Sequence, residues 1–166
     1  MKKIIAFSLI YVSLSCQIDR KISITTDIIV WFPNETDEDF QQSLDLIKYL
    51  NFDMIYIGIY FSRPWTYAHK NIPDNIPYEI KHKRWKELNN LLNKISLKNN
   101  QKEVWKVKTV LINDFMTKDI NWIYKYQWYT DNMKQIIISS KKPLQIGDFT
   151  ETKITNGVVF KLFWEC

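Results

Sequence analysis

Glycine is scarce in this chain, with 3 residues in 166, where ordinary usage is about 7%. A fold with several turns must then bend at other residues, or the composition reports something besides folding. Cysteine is almost as rare: Cys16 and Cys166 stand at opposite ends. That excludes a disulfide framework, a C-x-x-C redox pair and any cysteine cluster at metal-ligand spacing. His69 and His82 lie in polar or basic stretches with no partner at ligand spacing, as surface histidines do. Arginine numbers 3 against 20 lysines. With many Ile and Asn, that skew reflects an AT-rich coding sequence rather than selection for phosphate contacts. The net charge of +5 permits a polyanionic partner without requiring one.

Tryptophan is in excess, at 7 residues, and 46% of the chain is hydrophobic, enough for an ordinary core. The length suits one domain or two small ones.

The start, MKKIIAFSLIYVSLSC, has two lysines, an apolar run and then Cys16. It fits a secretory or lipoprotein signal, although Ser13-Leu14-Ser15 is a poor version of the segment expected before a lipidated cysteine. The run is too short to span a bilayer as a helix. A short apolar strand or helix, or a start codon upstream of the true frame, fits it equally. Residues 1–23 are therefore left as an uncertain segment, with export as the minor alternative to a cytoplasmic location.

From Thr36 a helix is well specified. Thr36 and Asp39 form a capping-box pattern, Asp37 and Glu38 suit the helix N-terminus, and Phe40, Leu44, Ile47 and Leu50 follow helical spacing. The β-branched residues before it, from Ile24, and the stretch DMIYIGIYF (53–61) read as buried strands. Residues 24–61 are thus predicted to form a βαβ unit, the building block of parallel sheets and barrels. A proline-bearing loop, 62–77, leads to a long helix from Pro77 to about Glu103, with Ile80, Leu88, Leu91, Leu92 and Ile95 on its buried face. Beyond it, 104–112, 124–130, 135–139, 147–154 and 158–164 read as five short strands, which predicts a small antiparallel barrel of the OB type. The fold class is α/β followed by a small all-β barrel, with a boundary near residues 98–104.

Several stretches together resemble one family. TTDIIVWFPNET resembles the TDIIVGFPGET segment of the radical-SAM methylthiotransferases, FSRPWTYA their SPRPGTxA loop, and the helix after IPDNIP the one that follows that loop. VWKVKTVLIND resembles the VGKxxxVLVE entry into their C-terminal TRAM domain. YTDNMKQIII, IGDFTETKIT and FKLFWEC resemble its later strands. The matches cover residues 24–166 in family order. Arg63-Pro64 favours the branch that modifies isopentenyl-adenosine in tRNA over the branch that modifies a ribosomal protein.

The resemblance implies a division of the chain: 24–100 as the last part of a radical-SAM, TIM-like barrel and 101–166 as the TRAM domain. Trp31, Trp65, Trp105 and Trp164 then stand on family glycines, with Trp128 close to another. UGA codons decoded as glycine but written as tryptophan would produce both the glycine scarcity and the tryptophan excess. Trp85, inside a helix, stands apart from that set, and Trp122 is assignable to neither.

The complete family enzyme uses S-adenosylmethionine and 4Fe–4S clusters held by cysteines absent from this sequence, so this chain alone is expected to bind no cluster. The resemblance places Trp31, Phe32, Pro33, Asn34 and Glu35, with Arg63, at the barrel rim that approaches S-adenosylmethionine. Glu35 equally suits the support of the following helix N-terminus, and Arg63 an ion pair at the surface. The resemblance implies that the TRAM domain grips tRNA. Residues 101–166 carry 10 Lys against 7 acids, and Lys106, Lys108, Lys125, Lys134 and Lys161 are phosphate-contact candidates. Tyr126, Tyr129 and Phe163 are candidates for base stacking. The implied partners are the anticodon stem-loop of a tRNA and the missing N-terminal half of the enzyme, with no membrane. The competing reading is a stand-alone RNA-binding TRAM protein.

Overall fold

The computed structural model describes residues 23–74 and 76–165; the signal-like start and both cysteines lie outside the described residues. Strand β1 (Thr25–Val30), helix α1 (Asp37–Leu50) and strand β2 (Met54–Ile59) form the expected βαβ unit. β1 and β2 pair in parallel from Thr25↔Met54 to Val30↔Ile59. The Thr36 hydroxyl accepts from Asp39 N and the Asp39 carboxylate accepts from Thr36 N, closing the capping box. Asn51 ends the helix in the left-handed conformation, which asparagine tolerates better than most residues. Phe40, Leu44, Ile47 and Leu50 are all buried, against Val30, Ile55, Leu88 and Leu92.

A short helix, α2 (Tyr67–Asn71), interrupts the loop after β2, and α3 (Tyr78–Gln101) follows. Pro77 serves as the N-cap rather than as the first helical residue. Leu88 and Leu92 are buried, but Ile80 is exposed. The helix also buries Lys81, Arg84, Ser96, Asn99 and Asn100. These polar burials are the main departure from the expected helix face, and each side chain has partners on other elements.

The β domain has six strands, not five: β3 (Val107–Lys118), β4 (Tyr124–Thr130), β5 (Gln135–Ser140), β6 (Phe149–Lys153), β7 (Asn156–Val158) and β8 (Lys161–Glu165). Their spatial order is β6-β3-β4-β5-β8-β7, antiparallel except for the β5–β8 pair. The sheet curls as a half-barrel around Val110, Ile112, Tyr126, Trp128, Ile136, Ile138, Ile154 and Leu162. β3 starts later than expected because Trp105 takes a positive φ. It ends later because irregularities after Ile112 and Phe115 let it bend and keep pairing with β4. The expected strand 158–164 is split into a hairpin by Phe160, whose φ is 64°.

Four of the seven tryptophans sit in the left-handed region: Trp31 (φ 59°), Trp65 (70°), Trp105 (71°) and Trp122 (64°). Glycine adopts that conformation without the Cβ penalty that other residues meet there. Trp31, Trp65 and Trp105 were expected on glycine sites, and Trp122 now joins them. Trp164 lies in β8, and Trp128 is fully buried in the half-barrel core. Strand backbone makes no demand for glycine at either.

Candidate functional site

The first candidate region is the rim beyond the C-terminal ends of β1 and β2. The chain leaves β1 through Trp31 and turns at Pro33-Asn34, where Asn34 also has positive φ, at 68°. The Glu35 amide donates to Phe32 O at 2.8 Å and closes the turn. The Glu35 carboxylate faces inward: its Oε2 accepts from Trp31 N at 2.6 Å and from Arg84 Nη1 at 2.8 Å. Arg84 is buried, bonds Asp37 through Nη2, and stacks its guanidinium on the Trp31 ring. The Glu35 bonds run to the loop backbone and to α3, not to the N-terminus of α1 that Glu35 was expected to support. A carboxylate that pins a backbone amide and an arginine from another helix fixes the path of the loop.

Phe32 and Arg63, by contrast, line one open cleft of about 380 Å³ with Ile29, Ile59 and Tyr60. Phe32 packs edge-on to Tyr60, ring centroids 5.3 Å apart. Arg63 is exposed; its carbonyl accepts from the Thr66 hydroxyl at 2.8 Å, which sets the loop while leaving the guanidinium unpaired in any described ion pair. Pro33 is buried behind the turn and Asn34 is exposed beyond it. The six rim residues therefore separate into a supporting group and a cleft-facing pair.

The second candidate region is the outside of the half-barrel. Lys106 is exposed and bonded to Glu103 at 3.0 Å. Lys108 is mostly covered, held by Glu103 at 3.2 Å and Asp131 at 3.5 Å. Burial alone would raise the Glu103 carboxyl, but hydrogen bonds from Lys106 and Lys108, and their charges, outweigh it and hold the group below its ordinary value. Lys125 in β4 and Lys161 in β8 are half-buried. Lys134 turns inward, with its Nζ 2.8 Å from Asp53 Oδ1.

Tyr126 is 3% exposed, and its hydroxyl accepts from Leu144 N at 2.8 Å. No face of that ring is open to a base, which corrects its expected role as an RNA contact. The alternation of β4 carried this signal: Tyr126 shares a face with Trp128, whereas Lys125, Gln127 and Tyr129 point away. The outward Tyr129 sits opposite Leu111, and Leu111 opposite Phe149. These three exposed residues make an apolar row across β4, β3 and β6. Leu111 and Phe149 were not anticipated as surface residues, because apolar residues on both faces of a strand blur its parity.

No family model matches the chain. Among curated proteins it is similar to tRNA-2-methylthio-N(6)-dimethylallyladenosine synthases. That of Karelsulcia muelleri is 36% identical over 134 residues, covering 81% of this chain and 29% of the relative. The Clostridium tetani protein is 36% identical over 141 residues, covering 85% and 30%. The Halalkalibacterium halodurans protein is 38% identical over 156 residues, covering 92% and 28%. The chain thus spans about 30% of the length of the curated relatives it matches. It belongs to the tRNA-2-methylthio-N(6)-dimethylallyladenosine synthase family and corresponds to a C-terminal portion of those enzymes.

Proposed function

We propose that this chain supplies the tRNA-holding end of a methylthiotransferase, together with part of the rim that S-adenosylmethionine approaches. The observation that carries the reading is the 36% identity, over 134 residues and 81% of this chain, to a relative named for that reaction. On this reading residues 24–100 are the last part of a radical-SAM barrel and 101–166 are a TRAM domain. The parent enzyme adds a methylthio group to an isopentenylated adenosine beside the anticodon.

On this reading the cluster ligands of the parent enzyme lie outside this chain. A cluster takes three or four thiolates, and the sequence holds two cysteines at opposite ends. The cleft at the rim suits S-adenosylmethionine better. Phe32, Tyr60 and Ile59 offer an apolar wall for an adenine ring, and Arg63 a cation for a carboxylate.

The β1–β2 sheet fits a larger barrel. Parallel strands ordinarily have both faces covered and both edges paired. Here, among the described residues, the pair stands alone, and Ile29 and Tyr56 are exposed on the face away from α1. The remaining part of the enzyme, joined to this chain or supplied by another, is the partner that would cover them.

On the half-barrel, Lys106, Lys125 and Lys161 are the phosphate contacts of this reading, and Tyr129 and Phe163 the stacking rings. The test is fluorescence anisotropy of an anticodon stem-loop RNA over a salt series. Alanine at each of the three lysines should weaken binding and reduce the salt slope by about 0.7–1. Equal binding to an unrelated polyanion at every salt concentration would overturn the reading. A stand-alone RNA-binding TRAM protein is the second reading, favoured by the separate core of the half-barrel. It requires that the βαβ residues be dispensable for affinity in the same assay.

A further inference from the structure

Lys134 lies in the β4–β5 turn, and its ammonium points at the βαβ unit instead of at solvent. Besides Asp53 Oδ1 at 2.8 Å, it reaches Asn100 Oδ1 at 3.0 Å. The Lys134 and Asp53 side chains are only 10% and 15% exposed. Asp53, the residue before β2, also accepts from Ile24 N at 3.2 Å and from Asn99 Nδ2 at 3.3 Å. Asn99 in turn accepts from Asn51 Nδ2 at 2.9 Å. The last turns of α3 are bound on their other side as well. Asn100 Nδ2 donates to Val158 O at 2.8 Å, and Ser96 Oγ accepts from Phe160 N at 3.2 Å. A Cβ on Gly157 would meet Asn100 O at 2.6 Å, so β7 and the helix backbone are in direct contact.

We propose that Lys134 and Asp53 are positioning residues, a polar latch that fixes the orientation of the half-barrel on the βαβ unit. Apolar surfaces tolerate sliding, whereas a buried ion pair with hydrogen-bonded neighbours has one satisfied geometry and a penalty for every other. The latch joins three separate elements: the β4–β5 turn, the end of α3 and the start of β2. It sets the angle at which RNA held by the half-barrel meets the rim beyond β1 and β2. That consequence rests on the proposed tRNA binding; the orientation itself does not.

The experiment is a pulsed dipolar EPR distance measurement on the full chain, with Cys16 and Cys166 replaced by serine. Spin labels go on Tyr49→Cys in α1 and Glu151→Cys in β6, both exposed and outside the network. The parent should give a single narrow distance peak. Lys134→Met and Asp53→Asn should each lose that peak to a broad distribution, and Lys134→Arg should keep it. Circular dichroism and the summed emission of the seven tryptophans must stay at parent values. Asp53→Asn keeps the shape of the network and serves if Lys134→Met does not fold. A narrow, unshifted peak in either folded variant overturns the latch. So does a Lys134→Met chain that keeps the narrow peak but loses one phosphate's worth of salt slope with the stem-loop RNA, because Lys134 would then be an ordinary RNA contact. A parent that ignores the RNA removes the tRNA reading alone, and the distance distributions still decide the latch.

Discussion

The guanidinium of Arg84 lies over the indole of Trp31, its carbon 3.6 Å from the ring centroid, while its Nη1 donates to Glu35 at 2.8 Å. One side chain from α3 therefore holds both ends of the loop that leaves β1. The arginine and Glu35 side chains are 7% and 13% exposed, so the pair is a buried one. Breaking such a pair from one side leaves an uncompensated charge and costs about 3–5 kcal/mol. Arg84→Met should lower stability by that order in urea unfolding followed by tryptophan emission. The contact with Asp37, which is 94% exposed, should contribute little to the loss. A change below about 1 kcal/mol would show that the loop holds its path without the arginine.

The positive φ of Trp65, together with its 88% exposure, makes an opposite prediction. The side chain packs against little, and the left-handed backbone penalises its Cβ by about 1–2 kcal/mol. Trp65→Gly should stabilise the chain, by less than that penalty because glycine also frees the unfolded state. Trp31→Gly should gain much less, since it removes the Arg84 stack and the bond from its Nε1 to Ile80 O at 3.1 Å. UGG codons at 31, 65, 105 and 122 would establish genuine tryptophans there and leave the composition unexplained by decoding.

Local physics made much of the first unit legible in advance. The Thr36–Asp39 box and the four-residue face of α1 need only neighbours in sequence, and both are present as read. What stayed hidden was non-local. Lys81 and Arg84 give no signal in sequence, and Lys134 reads there as a phosphate-contact candidate, because such residues are almost never buried without a partner and sequence spacing does not reveal the partner. Glu35 and Arg84 are 49 residues apart. The β7–β8 hairpin was missed for a different reason: VVF carries no turn residue, and Phe160 takes positive φ where its amide meets Ser96. At the rim, the resemblance singled out the loop after β1 together with Arg63. Only geometry separated Glu35, which holds the loop, from Phe32 and Arg63, which face the cleft.

Gly157→Ala tests the packing between helix and half-barrel. The new methyl would sit 2.6 Å from Asn100 O and 2.8 Å from Asn100 C, both backbone atoms. Backbone at the end of a helix yields poorly, so β7 has to move. Overpacking of this kind costs about 1–3 kcal/mol. The expected outcome is a lowered urea midpoint together with faster amide exchange at Val158 and Phe160. Unchanged exchange there would mean the contact is looser than the structure has it.

Ile29 and Tyr56 are 57% and 61% exposed on the face of the β1–β2 pair that no other described element covers. Exposed apolar side chains beside unpaired strand edges favour self-association. The isolated chain should elute earlier from a sizing column as its concentration rises. Ile29→Lys should suppress that shift, because a charge on this face opposes pairing. Concentration-independent elution of the parent would show that the face is adequately covered.

Glu103 links the end of α3 to the half-barrel through Lys106 and Lys108, and its lowered pKa gives that link a pH dependence. Above the ordinary value of 4.5, the carboxylate is charged in both folded and unfolded chains, and its full contribution is present. As pH falls through 4.5 the unfolded chain takes up the proton first. The folded state then loses ground until the folded carboxyl is itself protonated, at a pH below 4.5. The parent should therefore lose more stability between about pH 6 and about pH 3 than Glu103→Gln, which has no proton to exchange there. Urea midpoints for both chains across that range decide it. Parallel pH profiles would mean that Lys106 and Lys108 do not hold the carboxylate in solution.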